Sequence, residues 1–466
     1  RATAATRVDE DGLVNYAEII GGEEVTCGNF ECAVPTGSWT LQNGSTISNS
    51  EATVISPSQP IGNGRAYHSL YQDNVFEVGK SYLVTFNAKQ TVGSGLFQVG
   101  QGMALNSNLV ITASFVTYTW EFTAVSNTYE TSLVFGGRTA SNQFVIDNVS
   151  VKQVDRDNVP RIDYTGGGCP HILAEPQRTN LIQYSEDITQ VNGYSPNGVT
   201  LASNQGVTPM GTDNATKLTS TGVDPYIQYE IPNTNTTFTL SVYAKGVGSS
   251  VGKDINFYLI RDNYAEAAQS SQFTLTNEWV RYTATLSLST NPTTKVIYRI
   301  DAPSVAETGD EVLIWGTQCE VGSYPTSYIP TSGSTVTRNQ DIFTRDGIGS
   351  LINSTEGVLF VEMAALSDDG TDRRISLNDG TVGNAINIGL SRFSGNINAE
   401  IHSGGSLQTS GWGATGVTQT NNNKFALSWG SGAIKFYVNG SPKSSQTGIT
   451  SPIGLNSLKL SSGDDT

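Results

Sequence analysis

Three runs of alternating apolar and polar residues occur twice in this chain, in the same order. Tyr82-Leu83-Val84-Thr85-Phe86-Asn87-Ala88 is paralleled by Phe238-Thr239-Leu240-Ser241-Val242-Tyr243-Ala244. The run beginning at Tyr118 is paralleled by Trp279 to Thr285, and Phe144 to Val151 by Glu311 to Gly316. A period of two gives each run one face for a core and one for water, which describes a strand and excludes an amphipathic helix. Gly-, Ser- and Asn-rich turns separate the runs and no helical pattern intervenes, so each set predicts a β-sandwich. The repeat is too long for a stacked solenoid, which leaves two sandwiches of one type.

A third strand-rich region follows Thr331-Ser332-Gly333-Ser334-Thr335, with runs at Gly357–Met363, Asn384–Leu390 and Lys424–Trp429. Ala433 to Gly440 reads as a strand ending in an Asn439-Gly440 hairpin turn. The predicted fold class is therefore all-β: three tandem β-sandwich, jelly-roll-like domains with extended connectors. The expected boundaries are an arm over 1–17, a sandwich over 18–154, a Pro/Gly connector over 155–178, a second sandwich over 179–332 and a third over 333–466.

The connector is the seam between the paired modules. Pro160, Pro170 and Pro176 each remove a backbone donor, and Gly166-Gly167-Gly168 frees the backbone, so extended, irregular chain is expected. Ile172-Leu173-Ala174 is apolar, which suits a segment pinned against a domain.

Composition narrows the function classes. A net charge of −16 argues against a nucleic-acid partner, whose affinity rests on Lys and Arg neutralising phosphates. No run of 18 apolar residues occurs, so no membrane insertion by a helix is expected. There is no initiating Met and no charged-then-apolar leader, so the chain reads as part of a longer polypeptide. Four cysteines are too few to staple three domains, and Cys27 and Cys32 could pair or stay free thiols. With His68, His171 and His402 as the whole histidine complement, a Cys/His zinc site has little to draw on.

Two long stretches resemble bacteriophage virion proteins, especially tail fibres and related appendages. One is Leu173-Ala174-Glu175-Pro176-Gln177-Arg178-Thr179-Asn180-Leu181-Ile182 with Tyr184-Ser185-Glu186-Asp187, preceded by Pro160 to Tyr164. The other runs from Trp315 to Thr331 and continues into Val336-Thr337-Arg338-Asn339, departing from the family pattern at Cys319. Arg1 to Tyr16 resembles an element that in that family directly precedes the one at Pro160. The resemblance thus implies that residues 18–154 are inserted into a connector, and that 1–16 and 159–182 meet in space. The paired modules resemble jelly-roll carbohydrate-binding modules, and the third resembles concanavalin-A-like or laminin-G-like domains and reads as cut short at Thr466.

Chemistry is sparse. The carboxylate runs Asp9-Glu10-Asp11, Glu23-Glu24 and Asp368-Asp369 lie in turns, where acids are normally solvated or bond locally. Gly93-Ser94-Gly95 and Gly246-Val247-Gly248 lack the residues of a phosphate loop, and Asp368 to Asp372 lacks EF-hand spacing. No catalytic residue, metal or cofactor is expected. Sugar binding would use exposed rings beside amides and carboxylates. Trp39, Tyr67, Tyr71 and Trp412, in turn-like settings, are the candidates, with core packing as the competing role for each. Trp120, Trp279, Trp315 and Trp429 fall on strand patterns and are expected in cores.

The expected function is that of a non-enzymatic structural protein of a bacteriophage virion, in a fibre or surface appendage, mediating adhesion to host-surface glycans. Its partners would be other virion proteins and glycans, its assembly a homotrimer and its location the virion surface after assembly in the host cytoplasm. Two rival readings are a capsid or tail component that contacts only virion proteins, and an accessory binding region of a secreted polysaccharide-active enzyme.

Overall fold

A computed structural model describes residues 5–32, 35–156, 159–165, 169–222, 224–303, 308–390, 393, 395–409 and 413–462. The seam glycines Gly166, Gly167 and Gly168 lie outside them. The fold is all-β, built of antiparallel sheets packed as sandwiches; the one α-helical turn among the described residues is Pro35–Ser38. The chain divides into two compact units, Glu18–Val159 on one hand and Arg1–Ala17 with Pro160–Thr466 on the other.

In the Glu18–Val159 unit, one sheet runs Val116–Thr123, Ser81–Val92, Gln143–Asp155, Glu51–Ile55, Thr46–Ser48. The facing sheet runs Leu105–Leu109, Phe97–Gln101, Leu133–Gly137, Leu70–Gln72, Thr40–Leu41. Alternation decides which side chains meet: Tyr82, Val84, Phe86 and Ala88 point inward onto Phe97, Val99, Leu133 and Phe135. Each such large side chain contributes roughly 2 kcal/mol by leaving water. Cys27 and Cys32 form a disulfide, and their loop docks on a bulge in the long central strand. A Cβ at Gly28 would stand 1.8 Å from the Val149 carbonyl oxygen, so only glycine permits that approach.

In the second unit the first sandwich repeats this plan strand for strand. One sheet runs Val280–Ser287, Thr237–Val247, Glu311–Val321, Thr216–Ser220, Val199–Ala202. The other runs Tyr194–Asn197, Tyr226–Ile231, Val296–Asp301, Asp254–Arg261, Ala267–Gln269. The three runs that repeat in sequence occupy the same three neighbouring places in both sandwiches. Inward residues Phe238, Leu240 and Val242 meet Ile227, Phe257, Tyr298 and Ile300 in one core.

Residues 343–462 form a further sandwich. Its larger sheet runs Phe343–Arg345, Ser457–Ser462, Arg373–Asn378, Ala385–Leu390, Ile397–Ser403, Ser406–Leu407, and its smaller one Gly357–Met363, Asn423–Gly430, Ala433–Val438, Ser441–Thr447. Asn439 (φ 50°) and Gly440 (φ 77°) make the tight turn between the last two strands.

The two motif stretches interlock around buried charge. Arg161, Glu175 and Arg338 are 0%, 3% and 0% exposed; Glu175 binds both guanidinia, at 2.6 and 2.5 Å, and Asp341 binds Arg161. Ser327 N and Oγ donate to the same carboxylate at 2.7 Å each. Asn180 Nδ2 donates to the carbonyls of Thr317 and Ile329, tying the first motif to the second. The N-terminal arm joins this knot: Val8 N donates to Asp163 Oδ2 at 2.9 Å, Arg161 Nη1 to the Thr6 carbonyl at 3.3 Å, and Thr6 Oγ1 to the Tyr328 carbonyl at 2.5 Å.

Trp315 and Trp429 are buried, but Trp120 and Trp279 are only half-buried. Trp120 stacks on Phe122 at 4.0 Å on the rim of its sheet, and Trp279 donates its indole N–H to the Val207 carbonyl at 2.8 Å. Trp120 sits on the edge strand Val116–Thr123 and Trp279 directly precedes the edge strand Val280–Ser287, so each ring packs on one side only.

Candidate functional site

Of the four rings singled out in the sequence, Trp39 is placed where it cannot stack on a ligand. It is 1% exposed, lies against Phe30 and Phe135 with centroids at 5.5 and 6.2 Å, and donates Nε1–H to the Cys27 carbonyl at 3.0 Å. Its turn-like neighbourhood is the disulfide loop folding over the core, which buries the indole instead of displaying it. Tyr71 is 7% exposed, with the Arg65 guanidinium 4.0 Å above its ring. The same guanidinium covers Tyr129 at 4.5 Å and is gripped by Asp73 through Nη2 at 2.8 and 2.6 Å. Tyr67, half-exposed, ends the short 3-10 turn that begins at Arg65. Trp412 lies outside the described residues.

The richer surface is the outer face of the sheet containing Tyr226–Ile231, Val296–Asp301 and Asp254–Arg261. Because Ile227, Phe257 and Ile300 point into the core, their strand neighbours point out. The register places Tyr226, Asp301 and Asn256 in one row across three strands, and Gln228, Arg299, Tyr258 and Gln269 in the next. The Arg299 guanidinium lies 3.6 Å from the centroid of Tyr226 and 5.3 Å from that of Tyr258. It is fixed from the side by Asp301 at 2.5 Å and Asp224 at 2.9 Å.

Tyr264 stands at the margin of this face, 58% exposed. Its hydroxyl accepts from Gln228 Nε2 at 3.0 Å and donates to Gln228 Oε1 at 3.1 Å, while its backbone has φ 57°. A bulky residue held in the left-handed region is costly and persists where the surroundings enforce it. Here the turn is pinned by Asp262, which accepts from the backbone N–H of Thr293 at 3.0 Å and from its hydroxyl.

Electrostatics keep the face polar and rigid. Burial raises the Asp301 carboxyl above its usual range, with the Arg299 charge opposing. For Arg299 burial works against the cation, but the hydrogen bonds and charges of Asp301 and Asp224 outweigh it and its pKa is raised. The result is two half-exposed rings, one exposed ring, amides and a fixed guanidinium on one surface, suited to a flat ligand with apolar faces and hydroxyl edges. None of these residues was singled out from the sequence. The available signal was polar and aromatic residues at every second position of runs whose other positions are Ile, Phe and Leu.

The acidic turns are engaged locally. Asp9 Oδ1 accepts from the N–H groups of Asp11 and Leu13, and Asp369 grips Arg373 at 2.8 and 2.9 Å. Burial would raise the Asp369 carboxyl, but Arg373 and Thr371 hold it below its ordinary value. Among the described residues, no three His, Cys, Asp or Glu side chains cluster as a metal site would require.

Residues 223–303, which carry this face, match the family model described as a carbohydrate binding domain. No curated protein matches the chain. Among solved structures it is similar to the N-terminal CBM22-1-CBM22-2 tandem domain of Xyn10C from Paenibacillus barcinonensis, at 14% identity and TM-score 0.24, over 69% of this chain and 100% of that one. It is also similar to the enzymatically active domain of tailspike protein 4 of bacteriophage CBA120, at 13% identity and TM-score 0.24, over 31% of this chain and 21% of that one. A third similar structure is an arabinose-bound α-L-arabinofuranosidase, MgGH51, at 13% identity and TM-score 0.26, over 30% and 26% of the two chains.

Proposed function

We propose that this chain binds glycans through the outer face built on Tyr226, Gln228, Tyr258, Tyr264 and Arg299, and that it does so as part of a bacteriophage surface appendage. The observation that carries the binding role is the coincidence of that ring, amide and guanidinium array with the stretch matching a carbohydrate binding domain. Binding, as against bond cleavage, is supported by the two nearest carboxylates: Asp301 and Asp224 both hold Arg299, so they do not stand on opposite sides of an open space as an acid and nucleophile must. The virion role draws its support from the motif stretches at 173–187 and 315–331, and from their use here as a knot that fastens consecutive elements. Several copies on one particle, with other virion proteins as neighbours, would turn weak single contacts into firm adhesion.

A glycan array read with the wild-type chain and with Tyr258→Ala and Tyr264→Ala variants tests this. Loss of one ring is expected to weaken binding by about tenfold, on the order of 1.4 kcal/mol. Folded variants that retain the full wild-type profile would overturn the reading.

A further inference from the structure

The facing sheet of the Glu18–Val159 unit has the strand order of the ring-bearing sheet. Its strands Leu105–Leu109, Phe97–Gln101, Leu133–Gly137 and Leu70–Gln72 stand where Ala267–Gln269, Asp254–Arg261, Val296–Asp301 and Tyr226–Ile231 stand in the other sandwich. Phe97, Val99, Leu133 and Phe135 belong to the core, so Gln98, Gly100, Val134 and Gly136 point outward. The register puts Tyr71, Val134 and Gly100 in one row and sets Gly136 beside Gln98 in the next. These strands correspond to the ones that carry Tyr226, Arg299 and Tyr258. Yet Val134, Gln98 and Tyr71 are only 0%, 2% and 7% exposed. Side chains that point away from the core and are shut off from water have a cover.

The cover is the connection between Glu51–Ile55 and Leu70–Gln72, residues 56–69, whereas its counterpart between Thr216–Ser220 and Tyr226–Ile231 is only 221–225. Ile61 packs on Tyr71 and Val134 in a cluster separate from the main core, and its N–H donates to Gln98 Oε1 at 2.9 Å. Glycine at 136 lets the cover lie flat: a Cβ there would stand 3.2 Å from Ile61 Cγ1 and 3.3 Å from the Tyr67 carbonyl oxygen. Farther along, Arg65 lies over Tyr71 and Tyr129 and is held by Asp73. Asn43 Nδ2 donates to the carbonyls of Ala66 and His68 at 3.1 and 3.2 Å. The two ends are tied together, Ser69 Oγ donating to the Ile55 carbonyl at 2.6 Å, so the segment is a closed surface loop. An apolar plug apart from the main core, fastened by polar clasps, suits a segment that opens without unfolding the sandwich beneath it.

We infer that residues 56–69 are an autoinhibitory strap closed over this unit's equivalent of the ring-bearing face, and that its local opening uncovers Tyr71, Tyr129 and Gln98 for a saccharide. The inference rests on the glycan-binding role proposed above. Closed, the strap puts Ile61 where a sugar ring would lie and the Arg65 guanidinium over both tyrosine rings. Opening adds a binding face to the chain, and linked faces hold a polymer more firmly than either does alone.

The test begins with maleimide labelling in a Cys169→Ser background, which removes the exposed free thiol and leaves Cys319 buried. Val134→Cys places a thiol under the strap and Val99→Cys places one in the main core; both positions are 0% exposed. A strap that opens locally labels the first on the order of a hundredfold faster than the second. Equal rates would make the segment a fixed part of the core and overturn the inference. On a glycan array, Tyr258→Ala with Tyr264→Ala silences the ring-bearing face. In that background Ile61→Ser with Arg65→Ser, which loosen plug and clasp, should raise binding on the order of tenfold, and Tyr71→Ala should remove the gain. The labelling comparison needs neither strap substitution, so it decides even where those variants do not fold. Fast labelling with no gain of binding in folded strap variants would overturn the inhibitory role and leave the function proposed above intact. A wild-type chain that binds no glycan would overturn that function; the strap inference then stands if the opened strap gains binding that Tyr71→Ala removes, and falls otherwise.

Discussion

His68 shows how far one side chain's chemistry is set by its surroundings. It is 0% exposed, edge-on to Tyr71 and Tyr129 at 5.9 and 6.2 Å, and its ring nitrogens lack hydrogen bonds of normal geometry. Burial, with help from the Arg65 charge, lowers its pKa to about 4. Between pH 6.5 and 4 the unfolded chain therefore holds a proton that the folded chain refuses, and stability falls as pH drops through that window. Relative to His68→Phe, the wild type should lose about 3 kcal/mol between pH 7 and 4, measured by urea unfolding at each pH. A pH dependence identical in both chains would refute the assignment. Tyr264 carries the opposite lesson: its exposure and left-handed backbone come from the pinned turn, so Tyr264→Gly should hold or raise Tm while losing glycan binding. Nothing in the local sequence distinguishes Tyr264 from Tyr226 or Tyr258, because which residue a turn forces to positive φ depends on what clamps the turn.

At the scale of elements, strands were legible and their partners were not. Alternation located Ser81–Val92 and Thr237–Val247, since a half-buried strand must sort its side chains by face. That Glu311–Val321 lies between Thr237–Val247 and Thr216–Ser220 is settled by which apolar faces can close a core. The motif knot is similarly divided. Its residues stood out in sequence, but their convergence on the single Glu175 carboxylate required the fold. Burial alone would raise the Glu175 pKa; Arg338 and Arg161 overcome that and lower it, so its contribution is present above the ordinary glutamate range and lost as pH falls through the lowered value. Glu175→Ala takes the carboxylate from buried Arg338 and leaves Arg161 with Asp341, and should destabilise by roughly 3–5 kcal/mol in urea unfolding. A change below about 1 kcal/mol would mean the charges find water or other partners.

For the whole molecule, we expect several copies to act together, and the homotrimer that the family resemblance implies is checked by light scattering: three times the 49.6 kDa chain mass is the expected result, and a monomer counts against it. The candidate sites were the least legible part. Trp39, a candidate ring whose competing role is core packing, is core, whereas nothing in the sequence singles out the rings at 226, 258 and 264; the sequence reports that a residue is aromatic, but only packing decides whether its ring faces water. What the sequence determined alone is local and periodic: a two-residue alternation that admits strands and no long helix, and a duplicated set of runs. What tertiary structure decided is convergent. Rows such as Gln228, Arg299 and Tyr258, or Tyr71, Val134 and Gly100, join residues distant along the chain, and only the register of neighbouring strands brings them onto one surface.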